Sequence, residues 1–136
     1  MPAKIYSGAC ACGAISIAAS GSIGNSCYCH CESCRQASGA PFLAWTSFPN
    51  DLVQFSGDSF SIYRSSPNIE RGFCASCGTT ISYRNLTLTN EIDLCTALLA
   101  DAEDLAPVAH IWLRDKLPWV QLNDGLPGFD EWRTPS

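Results

Sequence analysis

Short hydrophobic segments alternate with polar, turn-forming residues along most of the chain. The segments are rich in β-branched and aromatic residues, which favour strands, and Gly, Pro, Asn, Asp or Ser interrupts them at short intervals. Strands of this length and spacing predict an all-β, antiparallel domain. The predicted strands are residues 4–9, 14–19, 42–48, 52–55, 60–63, 69–74, 79–83, 91–98 and 108–113.

Helical signals are few and short. Residues 31–38 predict one or two helical turns that end at Gly39, a residue suited to a C-cap. Residues 98–105 carry three acidic side chains and fit either a surface helix or a loop. Residues 124–132 are rich in turn-forming residues. The expected fold is therefore a β-domain with a few short helical turns.

Length and composition define the general class of protein. The chain has 136 residues, the usual size of one domain, and its 46% hydrophobic and 15% charged residues are typical of a globular protein. The longest uncharged stretch runs from Ile5 to Glu32, but Gly, Ser and Cys interrupt it, which excludes a transmembrane helix. The N-terminus lacks the apolar core of a secretory signal, so we expect a cytoplasmic protein.

The charge argues against nucleic-acid and membrane partners. The formal net charge is −5, and zinc ions bound by three or four thiolates would make it more negative. The eight lysine and arginine residues are scattered, with no basic run. We therefore predict that the protein binds neither nucleic acid nor an anionic membrane.

Nine cysteines are the most informative feature of the composition. Their odd number, the lack of a secretory signal and the reducing cytosol argue against a disulfide framework. Seven of them lie in tight groups that are poorly placed for unstrained disulfides but well spaced to chelate a metal. The groups are Cys10-Ala11-Cys12, Cys29-His30-Cys31-Glu32-Ser33-Cys34 and Cys74-Ala75-Ser76-Cys77.

Two of these groups have the form of a zinc knuckle. In Cys74-x-x-Cys77-Gly78 both sulfurs lie on one side of a tight turn, and the glycine permits a positive φ. Cys10-x-Cys12-Gly13 is a shorter version of the same motif. Each pair supplies two ligands, whereas a structural zinc needs four. We therefore predict one structural zinc held by both knuckles, which would close a long loop of the chain.

The third group is suited to a different kind of site. Cys29, Cys31 and Cys34 can face one ion together and leave one coordination position empty, as in a catalytic zinc site. An all-thiolate shell makes the ion a weak Lewis acid but suits the binding of a substrate thiol. The alternative is a second closed structural site, completed by Cys27 or His30.

The remaining cysteines and the histidines carry weaker signals. Cys27 lies at strand spacing from Cys29, so we place it beside the second metal rather than among its ligands. Cys95 lies in a hydrophobic segment and is expected to be a buried free thiol. His30 and His110 are interpreted as structural residues.

The order of these motifs resembles the glutathione-dependent formaldehyde-activating enzyme family, also called the centromere protein V family. The resemblance covers residues 5–125 and leaves 126–136 as a C-terminal tail. It implies a β-tent-type zinc fold, with a structural zinc on the two knuckles and a catalytic zinc on the third group. The matching motifs are Gly8-x-Cys10-x-Cys12-Gly13, Cys29-His30-Cys31-x-x-Cys34-Arg35, Gly39-Ala40-Pro41-Phe42, Phe73-Cys74-x-x-Cys77-Gly78-Thr79, His110-Ile111-Trp112 and Lys116-x-x-Trp119-Val120.

The resemblance also implies an activity. It suggests a carbon–sulfur lyase that forms S-(hydroxymethyl)glutathione from formaldehyde and glutathione. The expected partner is therefore a small thiol such as glutathione, and Arg35 and Arg71 are predicted to bind its carboxylates. The alternative function is a non-catalytic zinc-binding module for protein interaction.

Overall fold

The computed structural model describes residues 4–88 and 90–133, and this part of the chain is built mostly from β-strands. The strands are β1 (Tyr6–Ala9), β2 (Ser16–Ala19), β3 (Ser26–Cys29), β4 (Leu43–Pro49), β5 (Val53–Ser56), β6 (Phe60–Ser66), β7 (Ile69–Cys74), β8 (Thr80–Asn85), β9 (Glu91–Cys95) and β10 (Ala109–Ile111). The helical elements are one α-helix, α1 (Glu32–Ser38), and 3-10 turns at Asn50–Leu52, Thr96–Leu98, Ala102–Asp104 and Leu113–Asp115. The predicted all-β class with a few short helical turns is confirmed. No helix in the described ranges is long and apolar enough to cross a bilayer.

The strands form two sheets. A three-stranded sheet has the order β1-β2-β5, and a seven-stranded sheet has the order β10-β3-β4-β9-β8-β7-β6. The pairs are antiparallel except for β10, which runs parallel to β3. The prediction of an antiparallel sheet therefore fails at this edge. A parallel pair requires a crossover connection, and here nearly 80 residues of chain separate the two strands.

Both cysteine knuckles lie at the tips of hairpins, as the strand pattern predicts. The β1–β2 hairpin encloses Cys10 and Cys12, and the β7–β8 hairpin encloses Cys77 directly after Cys74. The two hairpins belong to different sheets. The knuckles therefore bring the two sheets together at one point.

Two clusters of buried residues form the core. The first packs Ile15, Ile17, Phe48, Ile81 and Leu94 together with ligand cysteines of the two knuckles. The second cluster groups Cys27, Cys29, Cys34, Trp45, Cys95, Ala109 and Ile111. Cys95 is free and only 7% exposed, which confirms its prediction as a buried thiol. The second core cluster is rich in cysteine because it includes Cys29 and Cys34 of the group 29–34.

Several predicted elements differ in extent. β3 (Ser26–Cys29) lies in a segment that the predicted strands omit, and its last residue, Cys29, is the first residue of the third cysteine group. The segment 98–105 contains short 3-10 turns instead of a longer helix. β5 and β6, which follow one another in the chain, belong to different sheets, since β5 pairs with β2 and β6 pairs with β7. Residues 134–136 of the predicted tail lie outside the described residues.

Candidate metal centres

The first cysteine cluster joins the two knuckles. The sulfur atoms of Cys10, Cys12, Cys74 and Cys77 all lie within 4.8 Å of one another. The Sγ atoms of Cys10 and Cys12 are 3.6 Å apart, and those of Cys12 and Cys74 are 3.8 Å apart. Zn–S bonds of about 2.3 Å in a tetrahedron separate the sulfurs by about 3.8 Å. The four side chains therefore fit one tetrahedral metal ion.

The backbone around this cluster is arranged to support thiolates. Gly13 and Gly78 have φ values of 79° and 81°, a region that disfavours other residues. The amide of Ile15 donates to Cys10 Sγ at 3.3 Å. Thr79 Oγ1 lies 3.1 Å from Cys77 Sγ, and hydrogen bonds from Thr79 lower the pKa of Cys77 to about 5. A thiol with a low pKa is easily deprotonated, as metal ligation requires.

The second cysteine cluster is built from one strand end and one helix start. Cys29 ends β3, Cys31 is the N-cap of α1, and Cys34 lies in its first turn. Their sulfurs also lie within 4.8 Å of one another, and Cys29 Sγ and Cys34 Sγ are 3.5 Å apart. The amide of Cys34 donates to Cys31 Sγ at 3.3 Å. The chain therefore fits three thiolate ligands around one ion.

The protons of this cluster are unevenly shared. Hydrogen bonds from Cys29 and Cys34 lower the pKa of Cys31, because they stabilise its thiolate. The same interactions with Cys31 and Cys34, together with burial, raise the pKa of Cys29. Because cysteine binds a metal ion as a thiolate, metal binding must release protons from this cluster.

No fourth Cys, His, Asp or Glu ligand atom joins this cluster in the part of the chain that the structure describes. Cys27 lies on β3, as Cys29 does, and lines the cavity described below, but its sulfur is not within reach of the other three. The Nε2 atom of His30 is 2.9 Å from His110 Nδ1, so this nitrogen is already hydrogen-bonded. The arrangement therefore has three sulfur ligands and one free position.

A cavity of about 540 Å³ opens at the second cluster. All three ligand cysteines line it, together with aromatic side chains such as Trp45, Tyr83 and Trp112. The first cluster does not contribute to its wall. The cavity is large enough for a small-molecule ligand, so the second cluster is the one with room for chemistry.

The two arginines proposed for substrate binding lie in different places. Arg71 is 6% exposed, and its Nη2 donates to Ser33 Oγ at 3.0 Å and to Cys34 Sγ at 3.8 Å. Arg35 lines a separate depression of about 290 Å³, and its Nη2 donates to the carbonyl of Asp115 at 3.3 Å. The structure therefore brings Arg71, but not Arg35, into contact with the second cluster. Their binding of a substrate stays a prediction.

Hydrogen bonds that run from two buried histidines to the exposed Asp124, behind the second cluster, could not be predicted from the sequence. His30 and His110 are 0% and 2% exposed, and His110 Nε2 lies 2.7 Å from Asp124 Oδ2. Because the carboxylate only accepts, His110 donates to it through Nε2 and accepts from His30 through Nδ1. Burial lowers the pKa of His30 to about 4, so this ring is neutral. These hydrogen bonds fix the ring of His30 and, with it, the backbone between Cys29 and Cys31.

A second functional candidate missed by the sequence reading is Asp93. It lies in the cavity wall, and Ser47 Oγ donates to its Oδ1. Burial raises the pKa of Asp93 to about 6, which is well above the ordinary value for aspartate. Neither Asp93 nor the histidine chain has a local motif, because each depends on strands that meet only in the folded sheet.

The fold and the two clusters define a class: a β-sheet protein with one four-cysteine centre and one three-cysteine centre beside a cavity. The protein-family model described as glutathione-dependent formaldehyde-activating enzyme matches residues 5–115, and the chain belongs to this family. This confirms the resemblance drawn from the motif order.

One similar protein supports this placement, and a second shares the fold. The chain is 31% identical over 111 residues to a protein of Schizosaccharomyces pombe named as an uncharacterized lyase, and the match covers 82% of this chain and 80% of that protein. It also resembles the crystal structure of a Rhodobacter sphaeroides protein, with a TM-score of 0.55 and 17% identity over 90% of this chain and 98% of the other. The second likeness concerns the fold alone.

Proposed function

We propose that this protein is a zinc-dependent lyase that makes or breaks a carbon–sulfur bond in the adduct of a small thiol and an aldehyde. The observation that carries the proposal is the three-cysteine cluster with a free position at the wall of a 540 Å³ cavity. Family membership and the lyase name of the S. pombe relative favour the same class of reaction. Formaldehyde and glutathione are the substrates that the family description suggests.

The two clusters have separate roles in this proposal. Zinc suits both because it prefers thiolate ligands and tetrahedral geometry. The first cluster, with four ligands, holds the two sheets together. Zinc at the second cluster would keep an incoming thiol in its thiolate form beside the cavity.

The residues around the second cluster position the reactants. Cys29, Cys31 and Cys34 define where the substrate sulfur lies, and aromatic side chains line the cavity beside it. The substrate sulfur attacks the aldehyde carbon, so that a carbon–sulfur bond forms and the π bond of the carbonyl breaks. The carbonyl oxygen becomes the hydroxyl of the adduct by taking up one proton, which replaces the proton that the thiol released as it became a thiolate. The reverse reaction returns that proton and releases the aldehyde. Because a reduced thiol and free cysteines are needed, we place the protein in the cytoplasm.

Cobalt substitution tests the proposal directly, because the visible bands of cobalt report the number and type of its ligands. We expect two bound cobalt ions, of which one responds to added glutathione. The Cys31→Ser variant should keep its fold by circular dichroism, lose the responsive ion and lose any acceleration of S-(hydroxymethyl)glutathione formation. Cys95→Ser is the matched control, since Cys95 is a buried cysteine outside both clusters.

Two results would contradict the proposal. If neither cobalt ion responds to glutathione or to a simpler thiol, the second centre is closed and the protein is better described as a zinc module for protein interaction. If the rate of adduct formation with the parent protein equals the rate without it, the proposed reaction is wrong even when thiols bind.

A further inference from the structure

The environment of Arg71 is unusual for a buried arginine. The residue lies in β7 and is 6% exposed. No carboxylate within residues 4–88 and 90–133 forms an ion pair with its guanidinium. Its Nε and Nη1 atoms are buried and have no hydrogen-bond partner in those ranges. A buried charge without an opposite charge is strongly unfavourable, so an anion must balance it.

Among the described residues, the cysteine that the Arg71 guanidinium hydrogen-bonds is Cys34 of the second cluster. Its Nη2 donates to Cys34 Sγ and to Ser33 Oγ, so one nitrogen holds two neighbouring residues of the metal-binding turn. The ring of Tyr83, on the adjacent strand, lies 5.0 Å from the guanidinium carbon. Stacking on this ring fixes the plane of the guanidinium and aims it at the turn.

The net charge of the metal-loaded cluster suggests a function for Arg71. A divalent ion with three thiolates carries one net negative charge, and a guanidinium beside it makes the local sum zero. The guanidinium lowers the cost of burying this negative charge, and a neutral centre accepts a further anionic ligand more readily than a negative centre does.

We propose that Arg71 is a positioning residue of the second metal centre: it balances the charge of the Cys29/Cys31/Cys34 cluster and holds the turn through Cys34 and Ser33. The substrate carboxylate is then bound elsewhere or not at all. This inference rests on the metal centre in the proposed function but not on the proposed reaction.

The affinity for metal in the absence of any thiol or aldehyde distinguishes a role of Arg71 at the metal centre from a role in binding a substrate carboxylate. Apoprotein is titrated with Co²⁺ and Zn²⁺ against a competing chelator, and the two centres are resolved by their cobalt spectra. For Arg71→Gln we expect affinity at the second centre to fall by roughly 10- to 100-fold, as when other residues that support metal ligands are removed. The first centre should change by less than about threefold, and the cobalt–thiolate bands of the second centre should shift.

Two further variants sharpen the test. Arg71→Lys keeps the positive charge and should hold the second metal within about tenfold of the parent. Arg64→Gln is the control: Arg64 lies on the neighbouring β6, is exposed and pairs with Glu70 at 2.8 Å, so it should leave both metal affinities unchanged.

The outcome that overturns the proposal is specific. If folded Arg71→Gln binds the second metal as tightly as the parent but prefers an uncharged thiol such as 2-mercaptoethanol to glutathione, Arg71 binds a substrate carboxylate instead. If Arg71→Gln does not fold, Arg71→Lys decides, and loss of its second metal with an intact first centre refutes the charge argument. If the parent itself binds only one metal, the proposed function fails with this inference. A parent that binds two metals but lacks activity refutes the proposed reaction alone.

Discussion

The first metal centre should act as a cross-link between two distant parts of the chain, and Cys74→Ser is the change that tests this. Cys74 is completely buried, and its sulfur lies 3.8 Å from that of Cys12, which is 62 residues earlier in the chain. Serine keeps the size of the side chain approximately but is a poor zinc ligand. The change therefore opens the link between the β1–β2 and β7–β8 hairpins without leaving a large cavity.

The expected loss of stability follows from the length of the closed loop. Joining residues 62 positions apart removes conformational entropy from the unfolded chain, and for that length the stabilisation is about 4 kcal/mol. For a domain of 136 residues this corresponds to a fall in Tm of roughly 10–15 °C. A buried hydroxyl adds to the loss, so the contribution of the metal must be measured separately.

Thermal unfolding with and without a strong zinc chelator separates the two effects. The Tm of the parent should fall by roughly 10–15 °C when chelator is added. The Tm of Cys74→Ser should be lower from the start and should change much less with chelator. Cys95→Ser buries a similar hydroxyl outside both ligand sets and should keep the full response to chelator. The reasoning is refuted if Cys74→Ser retains all its metal, or if chelator lowers the Tm of the variant and the parent equally.

Two further predictions concern residues that the structure, rather than the sequence, identified. Asp124→Asn removes the carboxylate that holds His110. In a chelator competition the second metal should then bind several-fold more weakly, while the affinity of the first centre stays the same. Asp130→Asn, a change at an exposed aspartate, is the control. Asp93→Asn should raise Tm near pH 8, because the folded protein must otherwise bury a charged carboxylate whose pKa is about 6. This gain should shrink as the pH falls through 6 toward the ordinary pKa near 4, where the parent is itself protonated; an equal gain at pH 8 and pH 5 would contradict the explanation.

The fold could be predicted from the sequence wherever its signals are local. The β7–β8 hairpin follows from two hydrophobic runs around a cysteine knuckle, and α1 ends at Gly39, whose φ of 74° suits a helix C-cap. β3 could not be predicted in this way, because its four residues, Ser26–Cys29, include no β-branched side chain and overlap a metal motif. The parallel pairing of β10 with β3 has no local signal at all, since it joins segments about 80 residues apart.

At the metal sites too, the features with local sequence signals could be predicted and the others could not. The three cysteine groups follow from spacing, because cysteines two or three residues apart are near one another in any fold, and the joining of the two knuckles follows from the four ligands that a structural zinc needs. The cavity, the placement of Arg71 and the hydrogen bonds of His30 depend on strands that are distant in the chain. Arg35 shows the limit of proximity in sequence, since it follows Cys34 directly yet lies in the wall of a different depression.

The histidine chain behind the second cluster also has a consequence for synthesis on the ribosome. The ligand turn 29–34 is made early, but Arg71 follows Cys34 by 37 residues and His110 follows His30 by 80 residues. At about 5–20 residues per second, the turn waits roughly 4–16 s for His110. During that time its three thiols are open to oxidation and to stray metal ions. The first centre, in contrast, has all its ligands once Cys77 has emerged. The first cluster therefore has its complete ligand set before the hydrogen bonds that orient the ligand turn of the second cluster can form.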